Sequence, residues 1–293
     1  MAKKIKKKDK RIFDVKKIKE AIEKEKKAAQ EKEKTGKITV EKIVKGKKRE
    51  YVKTGIEGFD KLFENGIPKG SAVLIAGGAG SGKTILCLQI LANAAKAGEK
   101  CLYLSLEESE ERLKEHMEDF GWNPSELEKK GRLLIKRVSS HDIARSVEAL
   151  LAKERGELLI DVEPVILPEG FKPDRIVVDS LSAIASSFIG RERNYRSYIE
   201  QLFRYFEKLG ATSFLITETE QVPKIFSPTG VEEFLADGVI VLYNLRKGDV
   251  RENAIEVLKL RGAKHVKKVV AMQIIDNKGI VVYPEQEVFG GIG

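Results

Sequence analysis

Residues 77–84 have the types and the spacing of a phosphate-binding loop. Their sequence, Gly-Gly-Ala-Gly-Ser-Gly-Lys-Thr, fits G-x-x-x-x-G-K-[ST], with an apolar run before it and a helical pattern after it. In such a loop the backbone N–H groups surround a β-phosphate, the lysine contacts the β- and γ-phosphates, and the threonine hydroxyl contacts Mg²⁺. This context argues against the alternative, a glycine-rich turn without a ligand. The residues expected around the nucleotide are Gly77, Gly78, Ala79, Gly80, Ser81, Gly82, Lys83, Thr84 and Ile85.

Asp179 is the expected carboxylate on the metal side of this site. It ends the apolar run Arg175–Asp179, and a P-loop site needs an acid on a second strand to hold Mg²⁺ through water. Thr84 would be the other protein group at the metal. In the alternative interpretation Asp179 caps the segment that follows, but an aspartate directly after a buried run must face something polar.

Glu107 and Glu108 follow another apolar run and could activate water. Hydrolysis of a γ-phosphate needs a carboxylate that orients and deprotonates the attacking water. Adjacent side chains of a strand point to opposite faces, so we expect one of the two to face the phosphate, and we favour Glu107. The alternative is that both belong to the acidic first turn of the next helix, since four of the residues 107–111 are glutamates.

Lys259 and Arg261 lie two residues apart in an apolar run, in the sequence Lys-Leu-Arg-Gly. Two cations on one face of a strand can bind phosphate. In isolation, however, the pair is also typical of an edge strand whose solvated charges guard it against association.

Short apolar runs alternate with helical patterns from residue 51 onward, which predicts an α/β fold. The first five runs alternate with helices, as in the crossover units of a mostly parallel sheet that is covered on both faces. The later runs lack helices between them, and we expect them to extend the sheet in antiparallel fashion. The predicted strands are residues 72–76, 101–106, 133–138, 175–179, 212–217, 239–243 and 254–260.

Helices are predicted where apolar residues recur at intervals of three and four. They include a short helix over residues 59–63 and one that begins after Thr84. Residues 157–172, which contain two prolines, interrupt the pattern as an insertion. The apolar stripes of three further helices are Leu113, Met117 and Phe120; Ile143, Val147, Leu150 and Leu151; and Tyr195, Tyr198, Leu202, Tyr205 and Phe206.

The basic character of the chain is confined to residues 1–50. These residues contain 21 Lys and Arg against 9 Asp and Glu, a net charge of +12, whereas residues 51–293 have a net charge of −3. We therefore divide the chain into a basic, partly helical N-terminal arm, residues 1–50, and one globular domain, residues 51–293. Clustered lysines could bind nucleic acid or an acidic protein, and a solvated tail is the alternative.

Composition excludes several classes of protein. With 34% charged and 42% hydrophobic residues, the chain is neither fibrous nor wholly disordered. No apolar run of about 18 residues occurs, and the lysine-rich start lacks the features of a secretory signal, so we expect a cytoplasmic protein with no membrane partner. Cys87 and Cys101 lie in apolar runs, which favours two reduced core thiols over a disulfide.

Several motifs in a single order resemble the KaiC-type branch of the RecA-like ATPases. The resemblance spans residues 54–284 and implies a RecA-like P-loop core, with ATP and Mg²⁺ as its ligands. The segments that support it are residues 54–60 (TGIEGFD), 65–68 (NGIP), the loop at 77–84, 106–108 (LEE), 120–122 (FGW), 178–180 (VDS), 217–218 (TE), 230–234 (GVEEF), 259–262 (KLRG) with His265, and 276–283.

The resemblance also implies assembly. It implies a ring, usually a hexamer, with ATP between subunits, and it matches Glu107 and Glu108 to the catalytic glutamates of the family. The segment Lys259, Leu260 and Arg261, together with His265, matches residues that reach the nucleotide of the neighbouring subunit, so that hydrolysis would depend on assembly. Clock members have two such domains and phosphorylate themselves in the second. We therefore do not favour autokinase activity for this single domain.

Three functions remain open. We favour an Mg-dependent protein that binds and hydrolyses ATP in a ring whose nucleotide state regulates a partner. The second is a RecA/RadA-like recombination or repair ATPase whose arm binds DNA, although no glycine-rich DNA-binding loop or base-stacking aromatic cluster supports it. The third is a nucleotide-sensing scaffold that barely turns over ATP. A dinucleotide-binding protein is excluded, because no G-x-G-x-x-G opens the helix.

Overall fold

The structure is a computed structural model that describes residues 49–139, 142, 145, 170–186, 188, 192–286 and 288. Contacts between Cα atoms divide the chain into one unit of residues 1–49 and a second of residues 50–293. The helices and strands of the described residues all lie in the second unit. Residues 1–48 of the N-terminal arm, nearly all of the helix expected around residues 143–151, and residues 157–169 of the expected insertion lie outside the described residues.

Nine strands of the described residues form one sheet. They are β3 (Ala72–Gly77), β4 (Cys101–Ser105), β5 (Leu133–Arg137), β6 (Arg175–Asp179), β7 (Thr212–Glu218), β8 (Gly238–Lys247), β9 (Val250–Leu260), β10 (Val270–Ile275) and β11 (Gly279–Tyr283). Their order across the sheet is β11-β10-β9-β8-β3-β7-β6-β4-β5. Two short strands before them, β1 (Tyr51–Val52) and β2 (Ile67–Pro68), form a separate antiparallel pair.

The sheet is mostly parallel, with antiparallel strands at its C-terminal side, as predicted. Strands β3 to β8 pair in parallel, and β9, β10 and β11 follow in antiparallel pairs. The prediction for residues 239–243 was wrong in direction, because β8 lies parallel to β3 with Val239 opposite Leu74. The segment between β7 and β8 contains only a one-turn helix, yet it is long enough to return the chain to the start of the sheet.

The hairpin of β10 and β11 was not predicted as a pair of strands. Its two strands pair over five positions, from Ala271 opposite Tyr283 to Ile275 opposite Gly279. Asn277 takes the left-handed conformation in the turn between them, with φ of 58°. Apolar runs on both sides of an Asp-Asn-Lys-Gly turn are a hairpin signal that could have revealed this pair.

The helices of the described residues are α1 (Lys83–Lys96), α2 (Glu110–Asp119), α3 (Pro124–Lys129), α4 (Leu181–Ser186), α5 (Glu192–Leu209) and α6 (Glu232–Leu235). A 3₁₀ helix covers Phe59–Leu62, close to the short helix predicted there. Helix α2 buries Leu113 and Met117 as expected, and it begins at Ser109, whose hydroxyl accepts a hydrogen bond from the N–H of Arg112. None of the helices in the described part of the chain is long and apolar enough to cross a bilayer.

Both faces of the central strand β3 are buried, because side chains of a strand alternate between its faces. Val73 and Ile75 belong to the core cluster that contains α1, whereas Leu74 and Ala76 belong to the cluster that contains the aromatic stripe of α5. Cys87 and Cys101 are both buried and free, and burial raises the pKa of the Cys101 thiol to about 12. The loop at residues 77–84 therefore follows a strand that is packed from both sides.

Candidate active site

The carboxyl ends of four neighbouring strands bring together the glycine-rich loop and the predicted carboxylates Asp179 and Glu107. Strands β3, β7, β6 and β4 lie side by side and run in parallel. The glycine-rich loop follows β3, Glu218 ends β7, Asp179 ends β6, and Glu107 follows β4. Open α/β sheets bind ligands at this edge, where loops and helix N-termini converge.

The loop leaves the N-terminus of α1 open to an anion. Gly82 is the residue before the helix and takes the left-handed conformation, with φ of 96° and no side-chain cap. No acidic side chain lies in the first turn of α1. Gly77 approaches β8 so closely that a Cβ there would lie 2.6 Å from the carbonyl oxygen of Leu242. Free N–H groups at the start of a fourteen-residue helix are suited to phosphate.

Lys83 lies inside the loop, and the negative charges of three carboxylates influence its ammonium group. Its Nζ donates a hydrogen bond to the carbonyl oxygen of Gly78 at 3.0 Å, and the residue is 9% exposed. Burial lowers the pKa of the lysine, while the negative charges of Glu218, Asp179 and Glu107 oppose that change. A buried ammonium group beside a helix N-terminus fits a polyphosphate, which would supply the negative charge.

Asp179 lies next to Thr84, as a shared metal site requires. The hydroxyl of Thr84 donates to Oδ2 of Asp179 at 3.3 Å, and the phenol of Tyr103 donates to the same oxygen at 2.5 Å. Burial raises the pKa of Asp179 to about 6, and the two hydrogen bonds oppose the increase. A hydroxyl and a carboxylate are hard oxygen ligands of the kind that Mg²⁺ prefers, so these residues fit that ion.

Glu107 and Glu108 have different surroundings. Glu107 is exposed and its Oε1 accepts a hydrogen bond from the hydroxyl of Ser180 at 2.5 Å, which places it beside Asp179. Glu108 turns towards α2, where its Oε2 lies 3.3 Å from Nε of Arg112 and 3.2 Å from Nε2 of His116. The negative charge of Glu107 partly opposes the lowering of the Lys83 pKa by burial. Of the two glutamates, Glu107 is therefore the one whose carboxylate lies beside Asp179.

Lys259 and Arg261 lie at the end of the sheet where the parallel strands begin, whereas the loop of the same chain lies at the end where they finish. Leu260 pairs with Gly238, which pairs with Val73 near the start of β3. The loop begins at the other end of that strand, about 13 Å away along β3 at about 3.3 Å per residue. The structure therefore does not bring these two cations to the site that residues 77–84 form.

The two cations instead bind backbone carbonyls around α6. Nζ of Lys259 donates to the carbonyl oxygens of Glu233, Phe234 and Ala236, at 2.9, 3.3 and 2.7 Å. Arg261 donates to those of Leu235 and Phe234. Burial, aided by the charge of Arg261, lowers the pKa of Lys259. In isolation, the two residues could also have been solvated charges of an edge strand. These hydrogen bonds to backbone carbonyls differ from that alternative.

His265 lies beside the 3₁₀ helix and not beside the loop. It pairs with Phe63 in an isolated antiparallel bridge. Both of its ring nitrogens are buried, and neither has a hydrogen-bond partner among the described residues.

Two further residues at the site were missed from the sequence. The side chain of Gln221 donates to the carbonyl oxygen of Ala79 at 3.0 Å and covers Gly78, where a Cβ would lie 2.8 Å from it. Tyr103 donates to Asp179, and its signal was present, since the hydroxyl of a tyrosine in a fully buried strand needs a partner. No sequence signal marked Gln221, which lies in a segment without periodicity.

Comparison with protein families gives one match over most of the chain. The family described as "ATPase: KaiC" matches residues 52–287. The match contains the loop, the carboxylates at the sheet edge and the segment around Lys259.

Two kinds of relative are similar in sequence. The circadian clock protein KaiC3 of Synechocystis is 35% identical over 235 residues, which are 80% of this chain and 46% of that protein. A UPF0273 protein of Thermotoga maritima is also 35% identical, over 83% of this chain and 98% of its own length. The chain thus spans about half the length of the clock relatives that it matches and nearly the whole of the UPF0273 protein.

A solved structure shares the fold. The crystal structure of a KaiC-like protein from the archaeon Pyrococcus horikoshii superimposes with a TM-score of 0.66. It is 33% identical in sequence, and the similarity covers 81% of this chain and all of that one.

Proposed function

Since this chain belongs to the KaiC family of ATPases, we propose that it binds ATP with Mg²⁺ at residues 77–84 and hydrolyses the γ-phosphate. One observation supports this proposal above the others. The loop at the start of α1 places Lys83 and Thr84 beside the carboxylate of Asp179, with the Thr84 hydroxyl 3.3 Å from Oδ2. A phosphate site and a metal site are therefore adjacent.

Each side chain then has a defined task. The N–H groups of the loop and the ammonium of Lys83 bind the phosphates, while Thr84 and Asp179 hold the metal side of the site. Glu107 accepts a proton from the attacking water and orients it, and Ser180 holds the Glu107 carboxylate in place through a 2.5 Å hydrogen bond. When bound, Mg²⁺ would neutralise charge on the phosphate oxygens.

We further propose that copies of the chain assemble in a ring, in which Lys259, Arg261 and His265 complete the nucleotide site of a neighbour. Lys259 and Arg261 are held at the edge of the sheet away from their own loop, which supports an action on another subunit. In such a ring, hydrolysis requires assembly, and the nucleotide state regulates a partner.

A DNA-binding ATPase is the second candidate function, and the charge distribution is the observation that favours it. Residues 1–50 have a net charge of +12, against −3 for residues 51–293. A basic segment of this kind binds nucleic acid through counterion release.

Replacement of Lys83 tests the proposed function. We expect Lys83→Ala to weaken equilibrium binding of ATP by about 1.5–3 kcal/mol, or about 10- to 150-fold, because it removes a charge-assisted contact with the phosphates. Lys96→Ala is the matched control, since Lys96 is exposed at the other end of α1. Unchanged ATP affinity in Lys83→Ala would contradict the proposed site.

A further inference from the structure

Tyr103 reaches the metal-side carboxylate from within the core. It lies in β4, which pairs in parallel with β6 so that Tyr103 is opposite Val177 and Ser105 is opposite Asp179. Tyr103 and Asp179 therefore lie on the same face of the sheet, on neighbouring strands and two residues apart along the strand direction. The tyrosine is fully buried among the apolar residues that pack between β4 and α1.

Among the residues that the structure describes, the acceptor for the phenol is Asp179. Its hydroxyl donates to Oδ2 at 2.5 Å. Burial raises the pKa of Tyr103 well above its ordinary value, so the group remains a neutral donor at any physiological pH. A buried hydroxyl without a partner is costly, and this bond therefore holds both side chains in place.

The two oxygens of the Asp179 carboxylate have different surroundings. Oδ2 receives the hydroxyls of both Tyr103 and Thr84. No donor to Oδ1 is found among the residues that the structure describes. A carboxylate held by one oxygen presents the other in a fixed direction, which is how outer partners orient the ligands of metal ions.

We propose that Tyr103 is a positioning residue that orients the carboxylate of Asp179 towards the metal ion of the nucleotide site. This inference rests on the proposed function, because the metal ion is part of it. Tyr103 itself touches neither nucleotide nor metal and acts through Asp179.

The test is Tyr103→Phe, which removes the hydroxyl and keeps the ring. Binding of a fluorescent ATP analogue is measured in EDTA and during a Mg²⁺ titration. We expect the Mg²⁺ concentration for half-maximal binding to rise about tenfold, as is typical when an outer partner of a metal ligand is lost. Binding in EDTA should not change, because the phosphate contacts of the loop remain.

Tyr195→Phe is the matched control for the loss of a buried phenol. Tyr195 is also buried and donates to a carboxylate, Glu232, at 2.5 Å. It packs in the core cluster on the other face of the sheet. We expect the control to leave the Mg²⁺ titration unchanged, even if both variants lower the melting temperature.

Asp179→Asn supplies a second measurement through a double-mutant cycle. If Tyr103 acts through the carboxylate, adding Tyr103→Phe to Asp179→Asn should produce no further shift of the Mg²⁺ titration. Equal shifts in the two backgrounds would overturn the inference.

The failure of this inference is distinguishable from failure of the proposed function. If the unchanged protein shows Mg²⁺-dependent binding and Tyr103→Phe behaves as Tyr195→Phe does, the positioning role is wrong and the proposed function stands. If the unchanged protein binds the analogue identically with Mg²⁺ and with EDTA, both are overturned.

Discussion

Glu107 and Glu108 are neighbours in sequence, but their carboxylates face different groups. Glu107 accepts from Ser180 next to Asp179, whereas Glu108 contacts Arg112 and His116 on α2. The side chain of Glu108 is 28% exposed, and it forms an ion pair with Arg112, four residues further along the chain. A carboxylate that is turned away towards an arginine and a histidine is poorly placed to take a proton from water at the phosphate.

We therefore predict different effects of the two amide substitutions. Glu107→Gln should lower the rate of ATP hydrolysis on the order of 100-fold, since it removes a general base, and should leave ATP affinity intact. Glu108→Gln, the matched control, should change the rate much less. Single-turnover hydrolysis measures both.

A reversed order of the two effects would assign the base to Glu108. Unchanged rates in both variants would favour the nucleotide-sensing scaffold, in which the glutamates serve structure.

Local spacing explains which site residues could be predicted. The loop at residues 77–84 is a contiguous motif, and Asp179 follows a buried run directly, so both are visible in the sequence. The partners of these groups come from distant parts of the chain. Tyr103 and Gln221 meet the site only because the sheet order places β4 and β7 beside β6 and β3, and no local pattern encodes that order.

At the scale of elements, Gln89 connects the helix behind the loop to the edge hairpin. Its side-chain amide bonds the backbone of β11 in both directions: Oε1 accepts from the N–H of Ile280 at 2.7 Å, and Nε2 donates to its carbonyl oxygen at 3.2 Å. Gln89 is 6% exposed. The amide thus bonds β11 as the backbone of a neighbouring strand would, and it joins α1 to that strand.

Loss of this connection should destabilise the fold. We predict that Gln89→Ala lowers the free energy of unfolding by about 1–3 kcal/mol, because it leaves the N–H of Ile280 buried and unsatisfied. Urea or guanidinium unfolding measures the change. Gln273→Ala is the control, since Gln273 is exposed on β10 and its side chain has one hydrogen bond with the described residues, which it accepts from the hydroxyl of Tyr283.

Exposed substitutions of this kind usually change stability by less than about 0.5 kcal/mol. Equal effects of the two variants would show that the bonds to Ile280 contribute nothing measurable.

Elements with strong hydrophobic runs were predicted with nearly correct bounds. Strands β3, β4, β6 and β7 are almost entirely buried, and their short apolar runs identify them in the sequence. The parallel direction of β8 and the hairpin of β10 and β11 were not predicted. Strand direction depends on where the connecting segment leads, and residues 219–237 contain turn residues with no periodicity to indicate a crossover.

At the scale of the whole molecule, positive charge and globular fold are separated along the chain. The net charge of +12 lies in residues 1–50, whereas residues 51–293, which contain the P-loop motif, have a net charge of −3. Any affinity of this chain for nucleic acid is therefore expected to depend on the arm, whereas binding of ATP at residues 77–84 is not.

A chain that lacks residues 1–50 tests this division. We predict that the full chain binds DNA with an affinity that falls steeply with salt, as in counterion release, and that the shortened chain does not bind. Fluorescence anisotropy at several salt concentrations measures binding, and ATP hydrolysis is followed in parallel.

Equal DNA binding by both forms would contradict the prediction. If DNA also accelerates hydrolysis by the full chain alone, the recombination or repair function gains support. If DNA does not change the rate of ATP hydrolysis, the ring ATPase with a protein partner remains the better proposal.

The contact of Gln89 with β11 has a consequence for the evolution of this chain. Glutamate has the same length but cannot donate, and shorter amides cannot reach, so few mutations of Gln89 would survive selection. Gly279 is similarly constrained, because with φ of 94° a Cβ there would lie 2.6 Å from the ring of Trp122. Both positions would stand out as invariant among descendants, although neither touches phosphate. Invariant residues around α1 would therefore reflect the requirements of folding as well as those of catalysis.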